Sequence, residues 1–236
     1  MLILGVFMIY NISKIFMLFI VYSIIGWIVE ISINMIIKKK FTNRGFFLGP
    51  YCPIYGVGTL LIIVLLNKYE KDPIALFIMS MIICSLLEYI TSFLMEVIFK
   101  NRWWDYSDKK FNINGRICLE YMIPFGIGST IVYYFINPLI VKLISIPSES
   151  FMIILSMIIF ILFITDVIIS ICIISKISSI NKSINIDSTE EITKQVKEII
   201  KGKSLPQRRL VKAFPNMKVN RKYINKILKK QKNDQK

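Results

Sequence analysis

The sequence predicts an all-α integral membrane protein, a bundle of about five transmembrane helices with a basic amphipathic helical tail in the cytoplasm. Five apolar stretches each reach the ~20 residues that a helix needs to cross ~30 Å of hydrocarbon. Hydrophobic residues make up 55% of the 236 residues, and this fraction is too high for an ordinary soluble domain. The end of the chain is instead rich in lysine and arginine.

The predicted transmembrane domain covers residues 1–180, and the tail covers residues 181–236. The spans are 12–37, 46–66, 73–99, 117–141 and 151–175. Lysine and arginine concentrate in the loops after the first and third spans and in the tail. Because positive flanks stay on the cytoplasmic side, this alternation predicts an outside N-terminus and a cytoplasmic C-terminus.

Five acidic residues lie in the cytoplasmic half of the predicted spans. They are Glu30, Glu88, Glu96, Glu120 and Asp166. A charged carboxylate at a helix centre costs about 2.5 to 3.5 kcal/mol, so these side chains are expected to face the bundle interior. Two interpretations stay open. The acids neutralise Arg44, Arg102 and Arg116 at the inner rim, or they line a vestibule where Glu30 and Glu88 bind a cation, a proton or the polar part of a substrate.

The second span begins with a run rich in glycine and proline. Pro50 and Pro53 remove two backbone donors, and three glycines accompany them, so the sequence predicts a broken or re-entrant entry. Irregular backbone at membrane depth is tolerated where it lines protein or a water-filled cavity, and such breaks are typical of transport sites. A plain kink is the alternative. Pro124 and Pro138 predict a second kink, in the fourth span.

The third span carries Glu88, Ser92 and Glu96 at every fourth residue, which predicts one polar face inside a membrane helix. An aromatic loop, 102–107, follows this span. Tryptophan and tyrosine favour the headgroup level, so the loop is expected to be an interfacial anchor. The alternative is a lid over the vestibule.

The tail is predicted to lie on the membrane surface. Ser188 and Glu191 form a capping box before a short amphipathic helix that ends at Gly202, and a basic stretch, 218–232, follows. Anionic lipid attracts such clusters by about 1 kcal/mol per basic residue. Membrane lipid is therefore a predicted partner. No nucleic-acid-binding module is recognisable, so nucleic acid is not expected as a partner.

The residue types argue against catalysis and cofactors. The chain has no histidine, and its four cysteines have no metal-binding spacing, so no metal, cofactor or catalytic residue is predicted. Gly202-Lys203-Ser204 imitates a P-loop, but Lys197 stands where its first glycine belongs, so no nucleotide site is predicted. A membrane enzyme acting on lipid through paired carboxylates remains the lesser alternative.

Two motifs, with several shorter stretches, resemble the ABC-transporter type IV family over about residues 14–140. The first motif, at the broken helix, comprises Arg44, Gly45, Phe46, Gly49, Pro50, Tyr51, Cys52, Pro53, Ile54, Tyr55 and Gly56. The second, in the cytoplasmic loop, comprises Arg102, Trp103, Trp104, Asp105, Tyr106 and Ser107, then Asn112, Ile113, Asn114, Gly115, Arg116, Ile117 and Cys118. The resemblance implies a multi-pass permease of a bacterial plasma membrane.

The sequence leaves two main hypotheses about function. In the first, the chain is a permease-like subunit whose five acids line a polar path, with ATP hydrolysis on a separate ATPase subunit because the chain has no P-loop. Five spans are few for a complete transporter, so a homodimer or a partner is expected. In the second, the chain is an assembly, sensory or regulatory module that binds a partner or anionic lipid.

Overall fold

The computed structural model describes residues 2–39, 41–43, 45–182, 205–214 and 218–219, and these are mostly helical. The α-helices are α1 (Leu2–Lys38), α2 (Pro53–Leu66), α3 (Pro73–Phe99), α4 (Leu119–Ile131), α5 (Asn137–Ile144), α6 (Glu149–Lys182) and α7 (Leu205–Ala213). The strands are β1 (Asn101–Arg102), β2 (Asn112–Ile113), β3 (Ile117–Cys118) and β4 (Lys218–Val219). β1 pairs with β4 and β2 pairs with β3, both antiparallel.

Four apolar helical stretches among these residues are long enough to cross a membrane. They are Gly5–Ile37, Pro73–Phe99, Leu119–Ile144 and Glu149–Ser175. The predicted all-α membrane fold is confirmed at this level. α2 and the 3₁₀ turn after it form a shorter apolar run, Pro53–Tyr69, which measures about 25 Å at 1.5 Å per residue. A fifth crossing and a re-entrant geometry stay predictions.

α2 begins late because of its prolines. Residues 45–52 have no regular secondary structure, and the helix starts at Pro53. Proline is well suited to a first helical position, since its missing N–H would have no partner inside the helix. The run around Pro50 is therefore a loop between α1 and α2.

α1 packs against α2, α5 and α6, while α3 packs against α2 and α4. Glycines allow α1 and α2 to approach closely. A Cβ atom on Gly26 would lie 2.2 Å from the ring of Tyr55, and one on Gly56 would lie 2.4 Å from the Ser23 hydroxyl. Small residues at such contacts are the usual device of membrane helix packing.

The fourth apolar stretch is irregular, as its prolines indicate. α4 contains Pro124, and a π-helical turn, Val132–Ile136, separates it from α5. Pro138 follows at the start of α5 and has no N–H to donate to the preceding turn. A wider turn accommodates this missing hydrogen bond within a continuous helical path.

The described part of the tail packs on protein. α7 contacts α6, and its Leu210 and Ala213 are each only 1% exposed. β4 pairs with β1, Val219 opposite Asn101 and Lys218 opposite Arg102. The predicted amphipathic helix after Ser188 and the basic stretch beyond residue 219 lie outside the described residues.

Candidate functional site

Residues 45–52, here called the first motif loop, are held by one carboxylate of α6. Asp166 accepts hydrogen bonds from the backbone N–H groups of Leu48 at 3.0 Å and Gly49 at 2.8 Å, and from the Tyr51 hydroxyl. Ser170, one turn along α6, donates a further bond at 2.9 Å. A Cβ atom on Gly49 would lie 3.0 Å from the Asp166 carboxylate. Asp166 therefore anchors the loop to α6.

The first motif loop is also tied to α1. The Cys52 N–H donates to the Ser23 carbonyl oxygen at 2.8 Å. Gly45, at the other end of the loop, has φ +127°, a conformation that favours glycine. Arg44, which the sequence assigns to the same motif, lies outside the described residues. The loop thus has fixed positions at both α1 and α6.

Residues 101–118, the second motif loop, contain a tight hairpin turn. Asn114 and Gly115 have φ values of 53° and 65°, and the Arg116 N–H donates to the Ile113 carbonyl oxygen at 3.0 Å. Positive φ at both central residues is what a type I′ turn requires, and Asn-Gly is its preferred pair. A Cβ atom on Gly115 would lie 2.5 Å from an Asp105 carboxylate oxygen. The turn directs Arg116 back towards α3.

Glu96 is paired with two arginines of this loop. Its Oε2 lies 2.7 Å from Arg116 Nη2 and 3.2 Å from Arg102 Nε. Arg116 Nη1 also donates to the Ser92 hydroxyl at 3.1 Å. The polar face predicted on α3 is thus buried under the loop, with basic partners for its last acid.

Glu88 lies two turns earlier on α3 and has different neighbours. The Tyr106 hydroxyl donates to Glu88 Oε1 at 3.2 Å, whereas Oε2 is buried without a hydrogen-bond partner among the described residues. The whole residue is 8% exposed. A buried carboxylate oxygen without a partner is costly, so its presence needs an explanation.

Glu30 of α1 belongs to the same cluster. The Tyr55 hydroxyl of α2 donates to Glu30 Oε1 at 2.7 Å. Glu30 and Glu88 are close enough to interact electrostatically with each other. Each also interacts electrostatically with the Tyr55 and Tyr106 phenols. Burial raises the pKa of the Tyr106 phenol, and the neighbouring Glu88 adds to the rise. We call these four residues the Glu–Tyr cluster. It joins α1, α2, α3 and the second motif loop.

Glu120 lies apart from these carboxylates. It is on the surface, where it pairs with Lys109 at 3.0 Å, and this pairing raises the pKa of Lys109. The structure therefore places three of the five predicted acids against the two motif loops, Glu88, Glu96 and Asp166, and a fourth, Glu30, against Tyr55 of α2. Glu30 and Glu88 meet in one cluster, while Glu96 and Asp166 each hold a loop.

The tail contributes to this end of the bundle in a way that its basic composition did not predict. Arg209 Nη2 donates to the carbonyl oxygens of Gly45 at 3.3 Å and Phe46 at 3.2 Å. The Phe214 ring lies 4.5 Å from that of Phe46 and 5.4 Å from that of Trp103, between centroids. Burial lowers the pKa of Arg209, and the charge of Asp166 opposes this shift.

One signal in the sequence could have revealed the contact. Leu210, Ala213 and Phe214 recur at spacings of three and four residues, which forms a short apolar helix face. The high charge around them obscured it.

Comparison with known proteins gives one match. The model of a family described as "Putative ABC-transporter type IV" matches residues 17–171. This range contains α2 to α5, most of α1 and α6, both motif loops and the Glu–Tyr cluster, but not α7. No curated protein and no solved structure matches the chain. Because the family model covers well over half of the 236 residues, the chain belongs to this ABC-transporter type IV family, as a multi-pass membrane protein.

Proposed function

We propose that this protein is the permease-like membrane subunit of a transporter, with its polar path at the Glu–Tyr cluster and its ATPase on a separate chain. The observation that carries the proposal is the buried Glu88 Oε2, which has no hydrogen-bond partner among the described residues. A carboxylate on a transmembrane helix is costly, and such residues are typical of substrate or ion pathways.

The division of roles among the acids supports a path at Glu30 and Glu88. Glu96 is occupied by two arginines, and Asp166 accepts from two backbone N–H groups and two hydroxyls. We assign these two to holding the loops. Glu30 and Glu88 have tyrosine hydroxyls as hydrogen-bond partners. Tyrosine can exchange its bond for one to a passing polar group, because its hydroxyl both donates and accepts.

The orientation follows from the charges of the loops. We place both motif loops and the tail on the cytoplasmic side, because most of the lysine and arginine residues lie in the loops after the first and third spans and in the tail. The Glu–Tyr cluster then lies in the cytoplasmic half of the bundle. A separate ATPase would dock at the same face, since the second motif loop and the tail are the largest segments available there.

The proposal is tested with Glu88→Gln, which keeps the side-chain volume but removes the charge. In the native host, solutes that differ between a deletion strain and its complemented strain, in cells and in medium, define the transport readout. We expect Glu88→Gln to give the solute profile of the deletion strain at wild-type abundance in the membrane. The matched control is Glu149→Gln, which changes an exposed acid at the start of α6.

Two results would contradict the proposal. One is a wild-type solute profile for Glu88→Gln. The other is a fall in membrane abundance large enough to account for the lost transport, because this would mark Glu88 as a structural residue.

A second candidate function is a non-transport module that works through its tail. The packing of Arg209 and Phe214 on the first motif loop favours it. Deleting residues 181–236 distinguishes the two. A module loses its function with the tail, whereas an intrinsic permease still transports solute without it.

A further inference from the structure

We propose that the described tail residues, 205–214 and 218–219, form a reversible strap that ties the two motif loops together and holds the Glu–Tyr cluster closed. The proposal rests on the proposed function, because the closed cluster is the proposed polar path. It adds an intramolecular binding surface whose occupant is the chain's own tail. This segment lies outside the 17–171 range of the family match, so the surface and its occupant come from different parts of the sequence.

Three kinds of contact form the strap. Arg209 donates to two carbonyl oxygens of the first motif loop, those of Gly45 and Phe46. The Phe214 ring packs against both Phe46 and Trp103, one residue from each loop. β4 then extends the second motif loop by pairing with β1. The strap therefore contacts both loops at once.

The strap contacts the two loops that position the tyrosines of the Glu–Tyr cluster. The first motif loop leads directly into α2, which carries Tyr55, and the second motif loop carries Tyr106. These tyrosines are the hydrogen-bond partners of Glu30 and Glu88. Separation of the two loops would pull one tyrosine away from the other and would uncover the carboxylates between them.

The docking of the strap is expected to be weak enough to reverse. α7 has nine residues, and helices shorter than about 12 residues are marginal on their own in water. Its helical form therefore depends on docking. Arg209 Nε and Nη1 and Trp103 Nε1 are buried without hydrogen-bond partners among the described residues. Such donors weaken the docked state, since they would bind water after release.

The covalent connection to α6 sets how firmly the strap competes with other ligands. A tethered segment binds with an effective concentration fixed by its connection. A partner that docks on Phe46 and Trp103 must bind tightly enough to compete with the strap at that effective concentration. The strap docks again when the partner dissociates. Release and return of the strap therefore depend on whether a partner occupies the surface at Phe46 and Trp103.

The test is hydrogen–deuterium exchange of the full chain in lipid nanodiscs. Leu210→Asp places a charge at a side chain that is 1% exposed, whereas Leu205→Asp makes the same change at one that is 78% exposed. We expect Leu210→Asp to speed exchange in peptides covering residues 45–52 and 101–106 about tenfold or more, because a buried leucine contributes at least that factor to docking. Leu205→Asp should match the wild type.

The flux assay defined above then separates the strap from the proposed function. Undocking by Leu210→Asp should raise solute flux above wild type, and Glu88→Gln should abolish flux whether or not the strap is docked. Unchanged exchange in both loops would overturn the strap. Faster exchange with unchanged or lower flux would overturn its closing role but leave the path at Glu88 standing.

A second variant guards against loss of the fold. If Leu210→Asp speeds exchange throughout α1 to α6, Arg209→Gln decides the matter, because it removes the guanidinium that binds Gly45 and Phe46 and leaves the buried Leu210 in place. Local acceleration at residues 45–52 supports the strap. Wild-type exchange there overturns it.

Discussion

Two carboxylates on one helix face have different local partners. Glu88 and Glu96 both lie on α3 and are similarly buried, at 8% and 5% exposure. Glu96 faces two guanidinium groups, and Glu88 faces a phenol. The same residue type at i and i+8 therefore has two kinds of partner, on which the proposed division of roles rests. The sequence predicted the shared face, but the i+8 spacing could not indicate which acid the arginines reach.

The partners of Glu96 depend on a turn that the sequence identifies well. Asn114-Gly115 is a strong signal for a type I′ turn, and this turn returns Arg116 to α3. The partner of Asp166 was less accessible to prediction. Its contacts with Leu48 and Gly49 join residues more than 100 positions apart, and no local pattern encodes such a pairing.

At the residue scale, we predict that Arg116→Leu destabilises the protein. It removes the shortest contact of a buried ion pair whose side chains are 10% and 7% exposed. Loss of one partner from a buried pair costs about 3 to 5 kcal/mol when the other charge is left unpaired, and Arg102, which still contacts Glu96, should keep the cost near the lower end. The measurement is the free energy of unfolding in detergent micelles. The control is Lys109→Ala, which breaks an exposed pair and should leave that free energy unchanged. Equal stability of the two variants would contradict the structural role of Glu96.

At the element scale, proline and aspartate mark helix starts with a clear physical cause. Pro53 opens α2, and Asp72 caps α3 by accepting from the N–H groups of Ile74 and Ala75. The sequence therefore predicts the start of α3 closely. The predicted second span, 46–66, with its broken entry, begins earlier than α2 because the apolar residues of the first motif loop extend the hydrophobic run. These residues pack on α6 and on the tail instead.

The crossing of α1 and α2 gives the second prediction. Gly26→Ala places a Cβ atom 2.2 Å from the Tyr55 ring, which its bond to Glu30 holds in position. Overpacking of this kind costs about 1 to 3 kcal/mol. We expect a lower free energy of unfolding for this variant and a disturbed Glu–Tyr cluster, and both effects should reduce transport.

The matched control for this prediction is Gly128→Ala in α4. A Cβ atom there meets nothing within 4 Å. Alanine exceeds glycine in helix propensity by about 1 kcal/mol, so the control should be neutral or more stable. If Gly26→Ala matched Gly128→Ala, the close approach of α1 to α2 would be wrong.

At the scale of the whole molecule, the two motif loops, four of the acids and the described part of the tail lie at one end of the bundle. The first motif loop is held by α1, α6 and α7, and the second by α3 and β4. Hydropathy and charge predicted the membrane class and the basic tail. They did not predict the docking of α7, because a charged segment near a membrane is equally well explained by lipid attraction.

We propose that this end of the bundle belongs to a transport subunit that works with a separate ATPase. The most direct test is affinity purification of the gently solubilised protein, followed by mass spectrometry of bound components. We predict a stoichiometric ATPase with its own P-loop, and a larger bound fraction with Leu210→Asp than with Leu205→Asp because undocking exposes the motif loops. A stoichiometric partner without a P-loop, or lipid alone, would contradict the account.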